Sequence, residues 1–579
     1  MKRYMSILQK SYVQGGKYPP LLDITISRQL EQAAEKYPDH IGLISHHQNT
    51  KLNYEQIFTK AKNVAANLLE LGTKKGDRVG IYAGNGIEWF ITQMACSLAD
   101  AIFVTINPAY KTEELLYCLN QVELNTLITT NRENPHRVLD NIEKLISDED
   151  IKHPLNLQLP NLRNLKNIFV IDDENRKTLD KDYYNDFNKT LFSRQARPKY
   201  LKSVENNIKY QYHKAAVNIQ FTSGTTGHPK GVTLSHYNIL NNGYFLANKM
   251  QYSHEDIICL PVPLYHCFGM VMGNLAALSK GATILFPSPS FNAENAMEAC
   301  YNHQATAIYG VPTMFLDYLR IREEKQYNFS QLNKAIMAGA ICPQVLLNRV
   351  NKELGIKDVV VAYGMTETSP VSFMTHAKDP VNKKTQTVGK IMKHLEAKVV
   401  DSSGNIVDTE QKGELMVKGY SVMLGYYNDR HNTQKVLVDE WMKTGDVVEL
   451  DKEGYAHVVG RIKDLIIRGG ENIAPKEIEE YILHMPEVEN VQVIGVPDER
   501  YGEEICALIK IHPKTKDFVK EDIYEYLKDR IAHFKIPRYV KFVDSFPITV
   551  TGKPQKHKMI EAWKEEIAEL GSPDIYKIK

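Results

Sequence analysis

The sequence is poor in cysteine. Seven occur in 579 residues (Cys96, Cys118, Cys259, Cys267, Cys300, Cys342 and Cys506) and no two form a CxxC pair. That pattern argues against a cysteine zinc site or a disulfide framework and favours a reducing compartment, with each thiol a small buried hydrophobe. Charge of one sign is also missing: 71 Lys and Arg stand against 70 Asp and Glu, a net +1. A chain that lives on nucleic acid or an anionic membrane usually carries a clear basic excess, so neither partner is expected and any basic patch must be local. There is no apolar run of about 18 residues, the length that spans a bilayer. The longest, Phe268–Leu278, falls short. The N-terminus, MKRYMSILQKSYVQGG, is basic but lacks both the apolar core of a secretory signal and the Ser/Arg density of a transit peptide.

What is present is ordinary globular material, 43% hydrophobic and 24% charged, in a length that suits several domains. Residues 21–130 alternate helix and strand patterns. Ser27 is placed to cap a helix through Tyr37, and Asn53 to cap YEQIFTKAKNVAANLLELG, which stops at Gly72. DRVGIYA follows as a strand, then a turn at Asn85-Gly86 and a helix through Trp89 and Met94. This rhythm predicts α/β architecture with parallel sheet. Residues 131–210 show little periodicity and predict surface loops and short helices. The rhythm resumes from Ala216, with strands at 305–310 and 358–364. From about Leu395 it becomes strand-rich, with turns at Ser403-Gly404 and Lys412-Gly413. Residues 491–579 predict a compact β/α segment.

Residues 217–231 read VNIQFTSGTTGHPKG. An apolar strand runs into Thr222, Ser223, Gly224, Thr225, Thr226 and Gly227, with Lys230 after them. Glycines let backbone amides approach an anion, the hydroxyls can bond phosphate oxygens, and the lysine adds charge. The GK dipeptide of a Walker loop is absent, so a Walker-type NTPase is disfavoured.

TSGTTGHPKG resembles the signature of the adenylate-forming superfamily, which holds acyl-CoA synthetases, luciferases and peptide-synthetase adenylation domains. The family's other motifs follow in order: YGMTET at 363–368, TGD at 444–446, GRIKDLIIRGGENIAPKEIE at 460–479 and TGKPQK at 551–556. SYVQGG, NPAYKTEELLYCL, LSHYNI, PLYHC, VMLGY and HFKIP further resemble the branch that ligates medium-chain fatty acids to CoA. The resemblance implies an α/β fold: a large N-terminal body of α/β subdomains with a β-rich subdomain, at 1–460. A hinge follows at 461–463, and then a small mobile α+β domain at 464–579. It implies an acid–thiol ligase using ATP, Mg2+ and coenzyme A on a small carboxylic acid. Aryl-acid ligases, a fatty-acyl-AMP ligase and a catalytically inactive binding homologue are the alternatives. Because SYVQGG starts at residue 11, little room precedes it for a presequence, and cytoplasm is expected over the mitochondrion.

The same resemblance assigns residues. Lys553 would join the carboxylate to the α-phosphate, Glu367 would accompany Mg2+, and Thr366 would contact phosphate. Tyr363, Gly339 and Ala340 would flank adenine, and Asp446 and Arg461 would hold the ribose. His266 would lie beside the carboxylate site, and Tyr309, Gly310 and Val311 would line the acyl pocket. Lys463 would be the pivot, and Gly469 and Gly470 would line the pantetheine channel.

Overall fold

The structure is a computed structural model that describes residues 8–131, 138–146, 155–171, 183–222, 229–338, 344–468, 471–498, 501–513, 515, 517–531, 533–549 and 553–578. Its contacts divide the chain into two compact units. One comprises Val13–Ala397 and Val417–Met442; the other comprises Met1–Tyr12, Lys398–Met416 and Lys443–Lys579.

The larger unit holds two mostly parallel sheets. The first has eight strands, in the order Gly425–Tyr426, Lys230–Ser235, Ala216–Thr222, Ile102–Thr105, Arg78–Tyr82, Thr126–Thr130, Asn167–Ile171 and Tyr184–Asp186. The second has nine: Lys390–Ile391, Val371–Met374, Asp358–Gly364, Lys334–Ala338, Ala307–Gly310, Ile257–Cys259, Thr283–Phe286, Ile41–Ser45 and Thr50–Asn53. Helices cover both sheets, so central strands such as IFVT, AIYG and TILF are apolar at nearly every position. One buried cluster includes Ile57, Val64, Phe90 and Leu275, and a second includes Val104, Leu119, Leu127 and Ile168.

Local signals explain most helix starts. Asn53 caps Tyr54–Glu70 in a reciprocal box with Gln56, and Ser235 does the same with Asn238 for His236–Lys249. Such caps contribute about 1 kcal/mol each. The first helix corrects its expected start. It runs Ile26–Lys36 and is capped by Thr25, whose hydroxyl accepts from Arg28 N. Ser27 lies inside the first turn, and its hydroxyl is drawn inward to Ser97 and Gln211. Within 131–210, Asn167–Ile171 and Tyr184–Asp186 are sheet strands, and Pro198–Tyr210 is a 13-residue helix. NIFVI is buried on both faces, so it shows no alternation to read.

A six-stranded sheet runs Tyr12–Gln14, Leu395–Val400, Lys412–Gly419, Trp441–Leu450 and Leu437–Val438, with Ala456–Arg461 also paired to Trp441–Leu450. Lys412-Gly413 opens a strand here and is not the expected turn, whereas Gly404 has the positive φ of a true one.

In the smaller unit a further sheet runs Glu471–Ile473, Ile466–Arg468, Gly502–Ile511 and Val488–Asp498, with Tyr539–Phe542 parallel to Gly502–Ile511. Pro475–Ile482 and Lys520–Leu527 pack Ile478, Ile482, Ile523 and Leu527 against Val493, Ile505 and Ile509. The C-terminal helix Lys556–Leu570 buries Met559 and Trp563 against Tyr539. No described helix is long and apolar enough to cross a membrane. The six described cysteines are free and buried.

Candidate active site

Four adjacent parallel strands of the nine-stranded sheet end on the same edge. Ile257–Cys259, Ala307–Gly310, Lys334–Ala338 and Asp358–Gly364 are in register, with Gly310 opposite Met337 and Ala338 opposite Ala362. In open α/β sheets, ligands bind beyond the carboxyl ends of the strands. The segments leaving this edge carry His266, Tyr309 to Val311, and Tyr363 to Glu367. Gly339 and Ala340 lie outside the described residues.

The Tyr363–Glu367 segment is tightly tied. A Cβ at Gly364 would stand 1.7 Å from the Pro370 carbonyl oxygen, so only glycine fits there. The Thr368 hydroxyl donates to that carbonyl at 2.8 Å, and the Ser369 hydroxyl donates to Ser421 O at 2.6 Å. Tyr363 is half-buried, with its ring 6.3 Å from Phe373 across the strand pair. Thr366 opens a one-turn 3-10 helix in which Glu367 is buried.

The phosphate-loop candidate joins two antiparallel strands, with Lys230 opposite Thr222. Ser223, Gly224, Thr225, Thr226 and Gly227 lie outside the described residues. Lys230 extends over the ring of Tyr426, its Nζ 5.1 Å from the centroid. The Tyr426 hydroxyl donates to Glu367 Oε1 at 2.9 Å. One tyrosine thus ties the lysine at the base of the hairpin to the carboxylate of the YGMTET turn. Burial first, and then the Glu367 carboxylate, raise the pKa of both this phenol and the nearby Cys267 thiol. A single carboxylate suits Mg2+, a hard cation that takes its other oxygens from phosphate and water. Among the described residues no group of three or more His, Cys, Asp or Glu could hold a metal by itself.

His266 is half-buried at the start of the short helix Cys267–Gly269, which passes into a π-helix over Met270–Leu275. The segment before it is held by Asn85. That side chain donates to Val262 O at 3.0 Å and accepts from Leu264 N at 3.0 Å. The buried carboxamide stands in for the sheet pairing that this irregular stretch lacks. Tyr309 is fully buried. Its hydroxyl accepts from Tyr252 at 3.2 Å and donates to Met272 O at 3.0 Å. With its polar end used by the fold, Tyr309 can offer a ligand only apolar surface. Phe268 stacks on it at 5.7 Å. Gly310 is buried, and Val311 opens the helix Pro312–Lys325.

In the smaller unit Asp446 and Arg461 are cross-strand partners, and Arg461 Nε donates to Asp446 Oδ1 at 3.2 Å. Asp446 is buried. Its backbone is set by Thr444, whose hydroxyl accepts from Asp446 N and donates to Leu415 O. Lys463 is exposed in the next turn. Lost solvation lowers its ammonium pKa; Asp464 opposes this most, Arg461 adds to it, and Asp446 opposes it. Lys553 is exposed, and its backbone is tied to Thr549: Lys553 N donates to Thr549 Oγ1 at 3.0 Å, and Thr549 N donates to Lys553 O at 2.7 Å. Gly469 and Gly470 lie outside the described residues.

Sequence reasoning did not single out Tyr426 or Asn85 as part of this region's bonding. VMLGY and the Asn85-Gly86 turn were visible, but their partners are distant in the chain.

Residues 30–427 match the AMP-binding enzyme family, and residues 477–553 match the AMP-binding enzyme C-terminal domain. The chain belongs to this adenylate-forming family and is an AMP-forming acid–thiol ligase. Among curated proteins it is 37% identical over 563 residues to the mitochondrial medium-chain acyl-CoA ligase ACSF2 of Mus musculus, covering 96% of this chain and 90% of that one. Among solved structures, the anthranilate CoA ligase AuaEII with anthranoyl-AMP superposes with a TM-score of 0.80 at 23% identity, over 95% of this chain and 99% of that one. The o-succinylbenzoate CoA synthetase MenE of Bacillus subtilis, bound to ATP and magnesium, gives a TM-score of 0.74 at 25% identity, over 92% of this chain and 99% of that one.

Proposed function

We propose that this ligase activates a medium-chain fatty acid in two half-reactions. A carboxylate oxygen attacks the α-phosphorus of ATP and pyrophosphate leaves. The thiol of coenzyme A then attacks the acyl carbonyl, AMP leaves, and the thiol proton is released. Adenylation is needed because a free carboxylate has no usable leaving group. Its difficulty is bringing two anions together, which calls for local positive charge and fixed orientation.

Lys553 supplies that charge at the reacting oxygens. The segment Thr222 to Gly227, with Lys230, holds the pyrophosphate end, and Thr366 contacts the α-phosphate. Adenine stacks on Tyr363 beside Gly339 and Ala340, and Asp446 and Arg461 hold the ribose. Glu367, with triphosphate oxygens and water, fits the Mg2+ that accompanies ATP and offsets its charge. His266 sits beside the carboxylate, and the aliphatic chain lies against Tyr309, Gly310 and Val311. After adenylation, rotation about Lys463 withdraws Lys553 and brings Gly469 and Gly470 to the pantetheine arm.

The observation that carries this reading is the cluster of Lys230, Tyr426 and Glu367, in a chain 37% identical over 96% of its length to a medium-chain ligase. An apolar pocket discriminates chain length by only about 1–3 kcal/mol per methylene, so a graded range of acids is expected. Rates of AMP formation with CoA and straight-chain acids from C2 to C18, alongside benzoate and anthranilate, test it. A maximum at medium chain length supports the reading. A maximum on the aromatic acids or on acetate overturns it.

A further inference from the structure

Tyr426 lies on the two-residue strand Gly425–Tyr426, opposite Val232, so Lys230 is its diagonal neighbour on the same face of the pair. Its position is over-determined. Tyr426 N donates to Thr433 Oγ1 at 2.9 Å, and Leu424 and Tyr427 on either side donate backbone hydrogen bonds to Thr233 O and Gly231 O. Met423 N, three residues earlier, donates to Glu367 O at 2.9 Å. The strand therefore grips the backbone of Glu367 and presents a phenol to its side chain. Both residues are buried, Tyr426 at 8% exposure and Glu367 at 7%, where a carboxylate needs a donor and a hydrogen bond is worth more than in water.

We propose that Tyr426 is a positioning residue of this site: its hydroxyl sets the rotation of the Glu367 carboxylate, and its ring seats the Lys230 ammonium. The ring face attracts the cation, and the hydroxyl edge engages the anion. One rigid side chain thereby fixes the spacing between the cationic and anionic groups that a metal–triphosphate would meet. The inference rests on the proposed role of Glu367 beside the ATP-bound cation. Groups that orient a metal-binding carboxylate typically change affinity or activity about ten- to a hundredfold when removed.

The test uses the full chain with Tyr426→Phe, Glu367→Gln and the double variant. Mn2+ binding is followed by electron paramagnetic resonance with a non-hydrolysable ATP analogue, and pyrophosphate release is measured alongside. Tyr426→Phe keeps the ring, and with it the Lys230 contact. It is expected to bind Mn2+ in the ternary complex about ten- to a hundredfold more weakly and to lose kcat for adenylation, with little change in the KM for the fatty acid. The double variant should match Glu367→Gln alone, since the phenol acts through that carboxylate; a merely structural role would give additive losses. If Glu367→Gln binds Mn2+ like the wild type, the role of Glu367 is wrong and this inference falls with it. If Glu367→Gln loses binding while Tyr426→Phe does not, or if the losses add, the role of Glu367 stands and that of Tyr426 is overturned.

Discussion

Lys553 shows how much the proposed mechanism asks of a single residue. It is exposed, and its backbone N–H donates to the Thr549 hydroxyl. Exposure alone does not mark it, so the role proposed for it rests on the TGK motif. Replacing it with alanine is expected to cut pyrophosphate release with ATP and fatty acid by at least about a hundredfold, since charge at the developing transition state is lost. Conversion of supplied acyl-adenylate to thioester should stay within severalfold of wild type. Stopped-flow pyrophosphate detection and a thioester assay separate the two. Tyr426 is the opposite case: its geometry is plain in the fold and silent in the sequence. It stands 59 residues from Glu367 and on a two-residue strand that no periodicity can reveal.

At the level of elements, the parallel strands were the clearest part of the sequence. DVVVAYG is a strand over the expected residues, and Tyr54–Glu70 starts at the expected Asn53 cap. The failures share one cause, which is tertiary context. Thr25 displaced Ser27 as cap because Ser27 found buried partners, and Lys412-Gly413 became a strand edge because a neighbouring strand was available. Asn85 also acts at this scale. It holds an irregular segment rather than an element, and it does so from a turn far away in the chain. Asn85→Ala leaves buried backbone groups without their partner, a cost of about 1–3 kcal/mol. Thermal unfolding of the larger unit should begin about 1–4 °C lower. Because the freed segment leads into His266, the KM for the fatty acid should rise at least severalfold while that for ATP changes little. Equal changes in both KM values would count against the assigned role.

For the whole molecule, the scarcity of cysteine and the near-zero net charge are coarse guides. The described thiols are buried and free, and the candidate cations Lys230, Arg461 and Lys553 are single residues that a chain-wide sum cannot register. One consequence of the fold is sensitivity to acid. His236 is buried, accepts a hydrogen bond from Ile26 N at Nδ1, and has its pKa lowered from 6.5 to about 3, by burial first and by His213 second. It therefore stays neutral when folded, down to about pH 3, yet takes up a proton near pH 6.5 once unfolded. The unfolded state binds the extra proton across that window, so this residue's contribution to stability is whole above it and declines as pH falls through it. The limiting slope is about 1.4 kcal/mol per pH unit. Urea unfolding of the larger unit between pH 4 and pH 7 should show a shallower pH dependence for His236→Gln than for the wild type. An unchanged slope would contradict a neutral buried histidine.

The central claim is a ligase that works through a free-standing adenylate. Rapid quench of the full chain with ATP, Mg2+ and octanoate, without coenzyme A, tests it most directly. Octanoyl-AMP and pyrophosphate should form near-stoichiometrically, and adding coenzyme A should then convert that same adenylate into octanoyl-CoA and AMP. Release of ADP and phosphate, or no adenylate until coenzyme A is present, would contradict it.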